Sequence, residues 1–384
     1  MIKNFSVLYV GNIELENVGL SGSPANNRKY SNDRLVESFE TATQAAVLMD
    51  ELNFYSLWMA EHHFQREGYE CIPNIILLST HLAAQTKKLK FGCGFNIVPM
   101  WHPLRLAEDY ATPDILTGGR MIFGVGRGYH SREVETFGSP VIDNDANREL
   151  FEEQIEIIFK AFNQETFSHK GNPYTIPAEV PYRGYDIKDI TLVPRPQNIP
   201  VETWQPIVSG SSIEFTASKG FNGVVALTGD QLVDDIFHKF QNACARNDRE
   251  GPLGENLALG LGFYIADTQQ EAIDNLRPFH DERYKWFSPF GFVRYADEEG
   301  RVWGTPGAPA RTPRIEDGVA QKAWICGPAE DFVRHLKEIE GKYPGLEHVI
   351  LHWPEGMPRD IFLDQLRLFA KEVMPHFHSE RSPK

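Results

Sequence analysis

Two histidines stand side by side in Ala60-Glu61-His62-His63-Phe64, at the end of a short apolar run. Adjacent side chains on a strand point to opposite faces, so His62 and His63 cannot grip one metal ion together. Either one ring belongs to the core and the other to a rim, or an imidazole at a strand end serves acid–base chemistry near neutral pH. Two further stretches join glycine to anion-binding groups: Gly126-Arg127-Gly128-Tyr129 and Ser209-Gly210-Ser211-Ser212. Glycine lets the backbone approach a ligand closely, serine hydroxyls donate, and a following helix offers its N-terminus. Arg127 would add a charge-assisted contact. Each serine could be only a helix cap, but the two turns together read as halves of one phosphate cradle. Glu108, between Arg105 and Asp109 in a helical pattern, is either a carboxylate on a solvated face or a reserve acid–base group. The segment 285–314 carries Trp286, Phe287, Phe290, Phe292, Tyr295 and Trp303 among Gly and Pro. It reads as a surface loop or as an aromatic lid.

The elements that must position these groups belong to a chain of 384 residues, 41% hydrophobic and 24% charged, enough to bury a large core. A net charge of −15 argues against nucleic acid and anionic membrane as partners, because phosphate backbones and headgroups need clustered Lys and Arg. An anion can bind only where local donors outweigh that field. Cys71, Cys93, Cys244 and Cys326 lie far apart with no CxxC, which suggests neither a disulfide framework nor a metal site. No apolar run approaches the roughly 18 residues of a membrane span, and the amino terminus lacks a signal-peptide stretch. The expected location is cytoplasmic.

Apolar runs at 5–10, 55–60, 90–98, 121–126, 206–209, 224–227, 259–265 and 348–352 predict strands. Helical periodicity predicts helices over 35–52, 74–86, 104–116, 148–162, 212–219, 231–246, 270–287, 328–340 and 361–373; in the first, Leu35, Phe39, Ala42, Ala46 and Met49 recur at spacings of three and four. Strands alternating with helices predict an α/β chain with a parallel sheet, and eight such units close a (β/α)8 TIM barrel. One domain over 1–384 is expected, with a hairpin or loop insert at 163–204 after helix four and a long lid within 285–320 after strand seven. An open doubly wound sheet fits less well, since no GxGxxG follows the first strand. Barrel chemistry gathers at the C-terminal strand ends. Those ends carry the histidine pair, Gly94-Phe95-Asn96, and the two glycine turns.

The run from Ala60 to Phe64, Phe91-Gly92 to Val98-Pro99, His102-Pro103-Leu104-Arg105-Leu106-Ala107-Glu108-Asp109, and Gly119-Arg120-Met121-Ile122-Phe123-Gly124-Val125-Gly126-Arg127-Gly128 resembles the bacterial luciferase-like flavin-dependent monooxygenases. Ile207-Val208-Ser209-Gly210-Ser211-Ser212 and Ala370-Lys371-Glu372-Val373-Met374-Pro375 extend the resemblance. It implies a TIM barrel that binds reduced FMN (FMNH2) at its strand ends, uses molecular oxygen through a flavin 4a-peroxide, and oxygenates a small, largely apolar substrate. A flavin reductase would supply the FMNH2, and a homodimer would form through the helices near 74–86 and 104–116. The resemblance makes His62 the catalytic histidine, with Glu108 held in reserve. Arg127 becomes the phosphate arginine and Ser209, Gly210, Ser211 and Ser212 the phosphate loop. A non-prolyl cis peptide under the flavin would fall at Gly94-Phe95, with Asn96 and Tyr129 as further cofactor contacts. Gly126 replaces a reactive cysteine of luciferase and Ser209 an acidic residue, which puts light emission in doubt. The same superfamily contains deazaflavin-dependent oxidoreductases and a flavin-binding relative without clear catalysis.

Overall fold

Short strands buried on both faces are written as near-continuous apolar runs, and eight of them form the centre of this chain. They are β1 (Asn4–Tyr9), β2 (Ser56–Met59), β3 (Lys90–Cys93), β4 (Met121–Gly126), β5 (Thr203–Pro206), β6 (Asn222–Ala226), β7 (Leu257–Ile265) and β8 (His348–His352). In the computed structural model, which describes residues 1–303, 305 and 307–377, each strand pairs in parallel with the next. β8 pairs with β1, so the sheet closes into a (β/α)8 barrel. The expected fold class stands.

Large side chains fill the barrel interior: Trp58, Ile122, Trp204, Val224, Ala258 and Ile350 cluster there, with Leu8 and Phe95 packed against them. The tryptophans leave no room for a neighbour. A Cβ on Gly92 would sit 2.2 Å from the Trp58 ring, which is why the strand carries glycine there. Helices Glu37–Glu51, Ile75–Ala83, Pro103–Leu116, Asn144–Asn163, Gly210–Ser218, Asp230–Ala245, Gln269–Phe287 and Arg359–Glu372 cover the outside. Two of their starts are capped by side chains: Asn74 accepts from the Leu77 amide at 2.8 Å, and Asp143 from the amide of Ala146 at 3.1 Å.

Three features depart from the sequence reading. β5 begins at Thr203 rather than 206, because Thr203 and Trp204 pair with Phe123 and Gly124 of β4. The apolar Ile207-Val208 instead leads into the cap of the next helix, Ser209. The stretch before the helix Ala329–Lys342 holds a helix, Ile315–Ala320, and a strand, Trp324–Gly327, paired beside β7 outside the closed barrel. The strand expected over 90–98 is divided into Lys90–Cys93 and Asn96–Ile97 by the Gly94–Phe95 bond, which is cis.

The 163–204 insert contains two small antiparallel pairs, His169–Lys170 with Thr175–Ile176 and Pro181–Tyr182 with Tyr185–Asp186. The aromatic segment that begins at the end of Gln269–Phe287 lies against the rest of the fold, with Trp286, Phe287, Tyr295 and Trp303 all buried. Gly304 and Pro306 of that segment lie outside the described residues. No described helix is long and apolar enough to cross a membrane.

Candidate active site

His62 leaves the C-terminal end of β2 and is buried. Both of its ring nitrogens face carboxylates: Nδ1 lies 3.2 Å from Glu133 and Nε2 3.0 Å from Glu70. Glu70 is fully enclosed and faces four groups. One oxygen faces His62 Nε2 and the Tyr129 hydroxyl, at 2.7 Å; the other faces His130 Nε2 and the Trp286 indole N–H, both at 3.0 Å. Glu133 accepts from the His63 backbone amide at 3.0 Å and from the side-chain amide of Gln65. The Tyr129 oxygen also lies 3.2 Å from His62 Nε2.

Burial alone would strip the proton from His62, but the charges of Glu70 and Glu133 and the hydrogen bond to Glu133 outweigh it and raise its pKa above the ordinary histidine value. Burial would likewise push Glu70 up. The facing His62 charge and the hydrogen bonds from His130 and Tyr129 overcome that and hold its pKa at about 2. Glu133 is lowered by the same logic, burial opposing and His62 prevailing. The Tyr129 phenol is pushed well up, by burial first and Glu70 second. His62, Glu70 and His130 each present one possible metal-ligand atom within 4.8 Å of the others. Both imidazoles already face Glu70 oxygens at hydrogen-bond distance, so the trio is built as a hydrogen-bonded chain.

His63 points away from this chain. Its Nε2 lies 3.2 Å from Glu61, and its ring packs edge-on against Phe137 with centroids 4.7 Å apart. Glu61 is buried and accepts from the Ile97 amide and the Trp101 indole, each at 2.7 Å. It therefore fastens the backbone that follows the cis Gly94–Phe95 bond. Asn96, also buried, donates to the Gly124 carbonyl at 2.9 Å while its own side-chain oxygen has no partner.

The second group of predicted residues follows the ends of the paired strands β4 and β5. Arg127 donates to the Asn144 side chain at 3.1 Å and has no carboxylate partner among the described residues. Burial and then the nearby Arg148 lower its pKa, with Glu152 opposing, so the Arg127 guanidinium stands short of negative charge beside a second cation. Ser209 caps the helix Gly210–Ser218, its hydroxyl accepting from the Ser212 amide at 3.2 Å. Ser211 and Ser212 hydroxyls turn back toward Ser209 at 3.0 and 3.2 Å. A Cβ on Gly210 would meet nothing within 4 Å. Free amides at a helix start, open space and an under-compensated Arg127 beside Arg148 fit a phosphate group.

The structure thus brings Tyr129 to His62 rather than to Arg127. It leaves Glu108 outside both groups: Glu108 is half-buried on Pro103–Leu116 and pairs with Arg105 at 2.7 Å. Sequence reasoning did not single out Glu70, His130, Glu133 or Arg148. Arg148 could have been found as a basic residue just inside the first turns of the helix that follows Arg127. The three others carry no spacing signal.

The aromatic segment lies over the His62 group. Trp286 stacks on Tyr69 with centroids 4.4 Å apart, Phe290 meets His130 edge-on at 4.4 Å, and Phe292 meets Tyr129 at 4.8 Å. Below it Glu282 and Arg28 form a buried ion pair of 2.9 Å, and Lys285 donates to the Ser23 carbonyl at 2.8 Å. These contacts tie the end of the helix Gln269–Phe287 to the loop after β1.

A luciferase-like monooxygenase family model matches residues 18–344. The chain is 25% identical over 356 residues to the oxygenase component of a flavin-dependent trigonelline monooxygenase from Acinetobacter baylyi, covering 89% of this chain and 91% of that protein. It is 24% identical over 352 residues to 4-hydroxyprotoasukamycin monooxygenase of Streptomyces nodosus subsp. asukaensis, covering 87% and 86%. In three dimensions it resembles the oxygenating constituent of 3,6-diketocamphane monooxygenase from Pseudomonas putida, a type II Baeyer-Villiger monooxygenase solved with FMN. The TM-score is 0.73 at 18% identity, over 98% of this chain and 99% of that one. With its barrel, its strand-end histidine and a family match over most of its length, the chain belongs to the luciferase-like monooxygenase family of flavin-dependent enzymes.

Proposed function

We propose that this enzyme takes reduced FMN from a separate flavin reductase and, with molecular oxygen, oxygenates a small, largely apolar organic substrate. The observation that carries the reading is Arg127, without a carboxylate partner among the described residues and with Arg148 nearby, together with the open Gly210 turn at the adjacent strand end. In a chain of net charge −15 such a place favours an anion strongly over its surroundings. The residues toward FMN would be Arg127, Arg148, Gly210, Ser211 and Ser212 at the phosphate, with Gly94, Phe95 and Asn96 nearer the ring. When bound, reduced FMN supplies the electrons and the oxygen activation. The chain supplies the rest: Glu61 holds the Gly94–Phe95 backbone in place, the aromatic segment at 286–292 excludes water, and His62 moves a proton.

The phenyl rings of Phe290 and Phe292 beside Tyr129 support an apolar substrate surface. A separate reductase is supported by the Acinetobacter baylyi relative, which is named as an oxygenase component. A homodimer is supported by Leu77, Ile115 and Leu116, large apolar side chains exposed on Ile75–Ala83 and Pro103–Leu116.

The test compares two variants of the histidine pair. His62→Ala should keep near-normal affinity for reduced FMN, because the phosphate residues lie on other strands, while product formation falls at least a hundredfold, the low end for lost acid–base catalysis. His63→Ala should lose mainly stability. Normal turnover in both variants would contradict the role of His62.

A further inference from the structure

Hydrogen-bond accounting around His62 fixes more than its position. An ionised carboxylate only accepts, so a ring nitrogen that faces one must carry a hydrogen. Nε2 faces Glu70 and Nδ1 faces Glu133. The Glu70 oxygen nearest His62 accepts from the Tyr129 hydroxyl, and the other accepts from the Trp286 indole and lies 3.0 Å from His130 Nε2; with its proton given to Glu70, the Tyr129 oxygen is left as an acceptor 3.2 Å from His62 Nε2. Glu133 is likewise met by the His63 amide, the Gln65 amide and His62. We propose that Glu70 is a positioning residue that, with Glu133 on the opposite nitrogen, holds His62 as a doubly hydrogen-bonded imidazolium, so that the histidine enters the reaction able to give a proton and unable to take one.

The groups that face or surround this ring are Glu61 on its own segment, Glu70 on the loop after β2, and Tyr129, His130 and Glu133 on the loop after β4. Arg132 acts on Glu133 and Glu70, Arg283 acts on Tyr129, and Glu355 interacts with Glu70 from the end of β8. Arg283 and Glu355 are ion-paired with each other, and Arg132 pairs with Glu67 at 2.8 Å, so these cations are largely compensated by other acids. The carboxylates next to the ring therefore dominate it. When the ring gives up a proton, the N–H electron pair stays on nitrogen and a neutral imidazole is left facing a carboxylate; a proton from solvent then restores the cation. Trp286 extends the arrangement to the aromatic segment, because its N–H donates to Glu70.

The catalytic use of this proton rests on the monooxygenase reading, but the charge state of His62 does not. It is read by nitrogen NMR of histidine-labelled protein without flavin, the His62 signals being assigned by their loss in His62→Gln. At about pH 7, above the ordinary histidine pKa of about 6.5, both ring nitrogens of His62 should be protonated. Glu70→Gln should lower its pKa by about 1–3 units, the usual effect of removing one close opposite charge, while Glu70→Asp keeps the cation. A neutral His62 in the parent at about pH 7, or a pKa that does not move in folded Glu70→Gln, overturns the proposal. The parent measurement decides even if the glutamine variant fails to fold.

Discussion

The indole N–H of Trp286 donates to Glu70 at 3.0 Å, a contact between residues 216 positions apart. It joins the helix after β7 to the loop after β2, and both ends of the bond are buried. Trp286→Phe keeps an aromatic ring against Tyr69 but removes the donor. A hydrogen bond to a buried charge is worth about 1.5–3 kcal/mol, and urea unfolding should register a loss of that size. The variant should also consume more dioxygen per product formed, as the cover over His62 loosens. Stability within about 0.5 kcal/mol of the parent, the range of an ordinary surface change, would mean the bond does not form.

Arg127 is the residue on which anion binding most depends. Arg127→Ala should weaken reduced FMN by one to two orders of magnitude, the equivalent of about 1.5–3 kcal/mol for a lost charge-assisted contact. Riboflavin, which lacks the phosphate, should bind both proteins alike. Arg148→Ala should shift FMN in the same direction. Equal losses for FMN and riboflavin would show that Arg127 shapes the site without touching a phosphate.

Much of the barrel was legible. β4 and β8 begin and end where their apolar runs do, because Gly-Arg-Gly and Trp-Pro close them. β5 was misread because its pairing residues Thr203 and Gln205 are polar, and only contact with the neighbouring strands selects them over the more apolar Ile207-Val208. The strand Trp324–Gly327 is four residues long and follows an irregular stretch, too little for a periodic signal. His62 stood out because it lies at a strand end beside another histidine. Its partners did not: Glu133 is 71 positions away, and glutamate is common in so acidic a chain that burial alone separates Glu70 from the solvated ones.

Glu70 also shapes the dependence of stability on pH. Its folded pKa of about 2 is below its unfolded value, so its contribution is present above the ordinary carboxylate range and is lost as pH falls toward 2. His62 has the opposite sign: its pKa is raised on folding, so its contribution is complete below the ordinary histidine value and is lost as pH rises through the folded one. Parent minus Glu70→Gln should therefore peak between about pH 5 and 6.5, on the order of 3 kcal/mol, and shrink on either side. His348 and His352, held neutral by burial at about 4 and about 3, destabilise both proteins in acid and cancel in the difference. Urea unfolding across pH checks this; a difference independent of pH would contradict it.

The central claim is that reduced FMN bound at this barrel mouth passes one atom of dioxygen to an organic substrate. The most direct measurement is the mass of the product formed by the purified enzyme with reduced FMN, a flavin reductase and heavy-isotope dioxygen, beside a parallel reaction with reduced deazaflavin. The account predicts a product carrying one heavy oxygen atom with FMN and none formed with deazaflavin. A product without the label, or turnover that deazaflavin supports and FMN does not, would contradict it.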